Sequence, residues 1–116
     1  PGTTLDDLAR QVRDALDDPP LRICGERSRR LERVAAIPGA GADFLGLAAQ
    51  LDVDCVVTGD VRHHEARRAQ DAGLAVIDAG HVATERPGLE RLLISLASLG
   101  TELTSLLDLD PDPWRD

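Results

Sequence analysis

The chemistry open to this 116-residue chain is concentrated in few positions, because it holds only three histidines and two cysteines and has no tyrosine. All three histidines fall in two short segments that follow apolar runs, Gly59-Asp60-Val61-Arg62-His63-His64-Glu65 and Ala79-Gly80-His81-Val82-Ala83-Thr84-Glu85. His81 and Glu85 are four residues apart, so on a helix their imidazole and carboxylate share one face and can meet a single cation. The same spacing also makes a surface hydrogen bond or a cap, and spacing alone leaves both readings open. Catalytic zinc usually takes three protein ligands, one more than this pair supplies. His63 and His64 are adjacent, and on a helix they point about 100 degrees apart, which keeps them from sharing one ion easily. One of them is expected to face the crevice beside the metal, where it or Asp60 would orient a ligand or touch a substrate. Helix-terminus histidines bonded to a neighbouring loop, and Asp60 as an N-cap, explain the same residues without a ligand.

The turn Ile37-Pro38-Gly39-Ala40-Gly41-Ala42-Asp43 precedes a helix start, where backbone N–H groups at Gly39 and Gly41 could hold an anion. It fits neither GxGxxG nor the Walker pattern, and a tight strand-to-helix connection accounts for it as well. The chain has no GxSxG elbow, and neither cysteine sits in a nucleophile setting, so covalent catalysis has no candidate and no catalytic residue is assigned.

These residues must be positioned by the elements around them, and two periods alternate along the chain. Leu5, Leu8, Ala9, Val12, Ala15 and Leu16 recur at helical spacing, with Thr3 or Thr4 to cap the start and Pro19-Pro20 to end it. Leu21 to Cys24 reads as a strand, Glu26 to Glu32 as a charged, solvated connector, and Arg33 to Ile37 as a second strand ending in the glycine turn. Asp43 is placed to cap a helix whose Phe44, Leu47, Ala48 and Leu51 form one apolar face. Asp54 to Thr58 and Leu74 to Asp78 are short apolar runs of the kind covered on both faces. Between them lies a helix from about Arg62 to Ala72, stopped by Gly73. A leucine-rich helix through Leu89, Leu92, Leu93, Leu96 and Leu99 closes at Gly100. Pro87 and Gly88 disfavour its unbroken extension back to Gly80, which would leave His81 and Glu85 on a separate turn. Thr101 to Leu107 is expected to add a C-terminal edge strand, followed by an acidic tail, Asp108 to Asp116, ordered through Trp114.

Strands alternating with helices indicate βαβ crossovers, hence one α/β domain over residues 1–116, three-layer α/β/α around a mainly parallel sheet. In such sheets the ligand crevice lies beyond the C-terminal ends of the strands, which selects the three segments already named.

Composition narrows the partners. Twenty-one acidic against thirteen basic side chains give a net charge of -8, which disfavours nucleic acid and anionic membranes. All thirteen bases are arginine, so a lysine Schiff base and a lysine-dependent phosphate loop are excluded. No apolar run approaches the roughly 18 residues of a membrane span. Cys24 and Cys55 lie in apolar segments without metal-type spacing, consistent with reduced core thiols and a cytoplasmic setting.

Taken together, T-G-D-V-R-H-H-E-A from Thr58 to Ala66, I-D-A-G-H-V-A-T-E-R-P-G from Ile77 to Gly88 and D-P-W from Asp112 to Trp114 resemble one family. It is the Nif-three-like family (NGG-interacting factor three) of dinuclear metal centre proteins, also described as GTP cyclohydrolase 1 type 2 homologues. The resemblance implies metal ligation by His81 and Glu85, with zinc, iron or manganese as the ion and two ions per complete site. It implies a metal-dependent hydrolase acting on a small molecule, and a homo-oligomer, commonly a hexameric ring. It also implies that this chain is the C-terminal half, since the family's N-terminal half, with paired histidines and an aspartate that complete the centre, has no counterpart here. His63-His64 belong to the T-G-D-x-x-H-H block and are not that pair, and catalysis is expected only when the centre is complete. The alternative is a non-catalytic oligomeric scaffold or interaction protein with a structural or sensing metal.

Overall fold

A computed structural model describes residues 2–109 and 111–114. It is a three-layer α/β/α arrangement around a mixed, mostly parallel sheet. The chain runs β1 (Thr3–Thr4), α1 (Leu5–Ala15), β2 (Arg22–Cys24), β3 (Arg30–Leu31), β4 (Val34–Ala40), α2 (Leu45–Gln50), β5 (Cys55–Gly59), α3 (His63–Asp71), β6 (Ala75–Asp78) and α4 (His81–Ala97). The main sheet has the order β2-β6-β5-β4, in which β4, β5 and β6 are parallel and β2 joins antiparallel to β6.

The central strands form where the sequence is apolar almost throughout, with Thr58 and Asp78 at their ends, and their alternation divides two cores. Cys55, Val57, Ala75 and Ile77 face Leu5, Ala9 and Val12 of α1. Val56 and Val76 face Leu45 and Ala48 of α2 and Ala69 of α3. Every residue of β5 and β6 is buried, as expected of strands covered on both sides. Helix α1 starts with a capping box, in which Asp7 N–H donates to Thr4 Oγ1 and Thr4 N–H donates to Asp7 Oδ2, both at 3.1 Å.

Several local expectations are corrected. The charged connector is not all solvated loop: Arg30–Leu31 pairs with Thr3–Thr4, and Leu31 is buried because it completes the floor beneath α1. Strand β4 continues through Pro38 and Gly39 to Ala40, which an edge strand permits, with its register to β5 interrupted between Ala36 and Ala40. Asp43 caps nothing, since a 3-10 turn over Ala42–Phe44 precedes α2 without a side-chain cap. Of the apolar face predicted there, only Ala48 is buried, while Phe44, Leu47 and Leu51 stay exposed over the free side of β4. Pro87 and Gly88 do not break the last helix, and α4 runs unbroken for 17 residues from His81. Its first turn is held by Thr84, whose hydroxyl bonds the Gly80 and His81 carbonyls, and one missing N–H at Pro87 does not undo it. No strand forms over Thr101 to Leu107, where residues 101–106 are irregular; the antiparallel edge is β2. Trp114 is 83% exposed, so it does not order the tail by burial.

Both cysteines are free, but only Cys55 is fully buried and Cys24 is half-buried. Burial pushes the Cys55 thiol up to about 12. A thiol reagent at pH 8 should therefore modify Cys24 in the native chain and reach Cys55 only after unfolding; equal rates at both would contradict this packing.

Candidate metal centre

Three parallel strands end side by side, and their C-terminal turns carry the candidate residues. Strand β4 ends in Pro38-Gly39-Ala40, β5 in Gly59 followed by Asp60, and β6 in Asp78 followed by Ala79-Gly80 and the first residue of α4, His81. Asp60 takes a left-handed backbone (φ 55°), uncommon for a residue with a Cβ. Its carboxylate lies across the crevice, with Oδ2 2.7 Å from His81 Nδ1. On the other edge of the ring, His81 Nε2 is 3.0 Å from Glu85 Oε1, one turn along α4. All three side chains are roughly half exposed.

The floor of the crevice is glycine. A Cβ at Gly39 would stand 2.5 Å from Glu85 Oε1 and 3.2 Å from His81 Nε2, and its φ of +74° also favours glycine. The Gly39 N–H donates to Thr84 Oγ1 at 2.9 Å, which ties the end of β4 to the middle of the His81–Glu85 turn. That donor is thus engaged within the chain, and Gly41 is likewise buried, at the start of the 3-10 turn.

The hydrogen bond to Asp60 raises the His81 pKa above its ordinary value, and the Glu85 carboxylate adds to the shift. A carboxylate only accepts, so carboxylates at both nitrogens favour the doubly protonated ring, and when one proton leaves, the shorter contact to Asp60 keeps hydrogen on Nδ1 and frees Nε2 beside Glu85. With both nitrogens protonated the ring bonds both carboxylates; with only Nδ1 protonated, Nε2 and Glu85 Oε1 become two donor atoms converging above Gly39. An imidazole nitrogen with a carboxylate oxygen suits a borderline divalent ion, and only glycine at position 39 lets the backbone come this close to both atoms. Among the described residues, no group of three or more His, Cys, Asp or Glu side chains is arranged to hold an ion. The pair therefore offers two donor atoms from this chain, one nitrogen and one oxygen.

The raised His81 pKa has a sign. Its contribution to stability is fully present below the unfolded value near 6.5 and is lost as pH rises through the folded value. Asp60→Asn should therefore flatten the decline in urea midpoint between pH 5.5 and 8.5, by an amount kept small by exposure and salt. Parallel profiles for the two proteins would remove Asp60 as the cause.

The structure thus brings Asp60, His81, Glu85 and Gly39 together. It does not bring His63 or His64 to them: both are exposed at the start of α3, and among the described residues neither bonds to any of these four. His63 lines a separate cleft with Arg22, Cys24 and Asp78. Sequence reasoning missed Thr84 and Gly59. The spacing of Thr84, three residues after His81 and able to bond back to the helix start, was the available signal for the first.

Comparison with known proteins follows this geometry. A family profile described as Duf34/NIF3 (NGG1p interacting factor 3) matches residues 1–113. A protein of Clostridium acetobutylicum named GTP cyclohydrolase 1 type 2 homolog is 37% identical over 119 aligned residues, covering 97% of this chain and 44% of that protein. One of the same name from Nostoc is 39% identical over 82 residues, covering 71% of this chain and 31% of the relative. Among solved structures, the Staphylococcus aureus hypothetical protein SA1388 superposes with a TM-score of 0.78 at 30% identity, over 98% of this chain and 39% of that one. The Bacillus cereus protein related to NIF3 gives 0.77 at 25% identity, over 98% and 33%. The chain spans less than half the length of each of these relatives.

Proposed function

This chain belongs to the Duf34/NIF3 family, and we propose that it supplies two ligands, His81 and Glu85, to a dinuclear divalent-metal centre of a hydrolase. The observation that carries this reading is the convergence of His81 Nε2 and Glu85 Oε1 above Gly39, with Asp60 holding the far nitrogen of the ring. A carboxylate behind a histidine fixes its tautomer and orientation and makes it a better ligand, as in many metal sites. Zinc, iron or manganese all suit a nitrogen and oxygen donor set. Bound ions would supply Lewis acidity and a water of lowered pKa. This chain's own residues present the ligands, orient them through Asp60 and Thr84, and let the Glu85 carboxylate pack directly on the backbone at Gly39. A complete centre needs further ligands beyond these two.

The name shared by the relatives suggests a purine nucleotide as substrate and ring-opening hydrolysis as the reaction. A second reading, an oligomeric scaffold with a structural or sensing metal, is favoured by α4 and the turn after it, where Leu89, Leu92, Ile94 and Leu99 stay exposed. Such a run suits assembly with further copies of the chain, a hexameric ring included.

The test is metal content after chelator-free purification, with assembly state measured alongside, for the wild type and Glu85→Gln. The hydrolase reading expects metal to fall while assembly is unchanged. Loss of assembly together with metal favours the scaffold, and equal metal in both proteins overturns His81–Glu85 ligation.

A further inference from the structure

We infer that Arg22 and Asp78 clamp the Val61 peptide and thereby position Asp60 and His81 for ligand binding; the inference rests on the reading of His81 and Glu85 as ligands. Asp78 is the last residue of β6 and is 6% exposed, so its carboxylate must find partners in the protein. It finds three. Oδ2 accepts the Val61 N–H at 3.0 Å, Oδ1 accepts the Gly80 N–H at 3.0 Å, and the Arg22 guanidinium of β2 bonds Oδ2. The same Arg22 nitrogen, Nη2, donates to the Val61 carbonyl at 2.8 Å. The residue after Asp60 is therefore held on both sides, its N–H by Asp78 and its C=O by Arg22, and Val61 itself is buried.

The consequence lies one residue away in each direction. Val61 follows Asp60, whose left-handed backbone turns its carboxylate across to His81. Gly80 precedes His81, and its own φ of +91° sets where α4 begins. One carboxylate thus fixes the two turns that carry the two halves of the Asp60–His81 pair. Those turns leave adjacent strands, whose ends are further joined by the Ala79 N–H bond to Thr58 O at 2.8 Å. Strained backbone at a site persists only where its surroundings over-determine it, and this clamp supplies that constraint. Neither Arg22 nor Asp78 reaches the crevice, so both are positioning residues.

The test uses the chain labelled with 15N-histidine, free of metal and then titrated with Zn2+ alone. The Arg22 side chain is 70% exposed, so Arg22→Met should fold. In that variant the metal-free His81 Nδ1 resonance is expected to leave its hydrogen-bonded position, and zinc affinity to fall about tenfold. Arg22→Lys should restore both, because a single ammonium can meet the same two oxygens. A purely structural role would lower the melting temperature and leave the His81 resonance and zinc affinity of the folded protein at wild-type values, and that result overturns the clamp. If Arg22→Met does not fold, the same two readouts on Asp78→Asn decide. Zinc affinity unaffected by Glu85→Gln would sink the metal reading instead, while the metal-free Nδ1 resonance still judges the clamp.

Discussion

Gly59→Ala is expected to lower the thermal midpoint by about 15 °C or more. A Cβ there would lie 2.5 Å from the Gly80 carbonyl carbon, 2.6 Å from the His81 nitrogen and 2.8 Å from the Gly39 oxygen. All three are backbone atoms, and they belong to the turns on either side of β5, so no side chain can swing away to relieve the contact. Overpacking of a well-filled interior costs about 1–3 kcal/mol when neighbours can yield, and here they cannot without opening the sheet end. About 3 kcal/mol or more is a large part of the stability of a domain this size. Gly46→Ala is the control: nothing lies within 4 Å of a Cβ at that position, on the exposed side of α2. Alanine there should be neutral or stabilise by about 0.5–1 kcal/mol, as it does for glycine in a helix. Thermal denaturation of the two variants side by side is the measurement. Near-equal midpoints would mean that the three turns do not meet as described.

That meeting of turns explains what could and could not be read from the residues alone. Strands β5 and β6 were legible because a strand covered on both faces needs no alternation, and Cys55 to Thr58 and Leu74 to Ile77 are apolar almost throughout. Helix α1 was legible from its period and from Thr4, and the shared face of His81 and Glu85 from their spacing. The partnership of Asp60 with His81 was not. It joins residues 21 apart and depends on Asp60 adopting a positive φ, which no local pattern demands of an aspartate. Helix α4 passes through Pro87-Gly88 because its first turn is fastened by Thr84 to the end of β4, a tertiary constraint that overrides local propensity. The edge strand expected over Thr101 to Leu107 failed for the opposite reason. Leu106 and Leu107 line an open groove with Leu92, Leu93 and Leu96 of α4 instead of pairing with the sheet, while Leu103 and Leu106 stay exposed.

His81→Ala is expected to weaken Zn2+ binding by more than about a hundredfold, a larger change than any other substitution at the site. Loss of a supporting partner alone costs about 10–100-fold in metal affinity, and His81 is proposed as a ligand. Glu85→Gln, which keeps one neutral oxygen in place, should fall between His81→Ala and the wild type. His63→Ala and His64→Ala should match the wild type, since both lie outside the crevice. Competition with a chromophoric chelator at pH 7.5 measures all four. The pH matters, because an ion must displace a proton held tightly by the pull of Asp60 and Glu85, so affinity should weaken as pH falls through the raised His81 value. Equal losses across the three histidines would point to nonspecific surface binding.

The most direct test of His81 as a metal ligand is the 15N spectrum of the histidine-labelled chain during Zn2+ titration, because only three imidazoles contribute. The account predicts that the His81 Nε2 resonance moves to a metal-bound position while Nδ1 keeps its proton for Asp60, and that His63 and His64 stay where they were. Movement of His63 or His64 ahead of His81, or a His81 ring unmoved at saturating zinc, would contradict it.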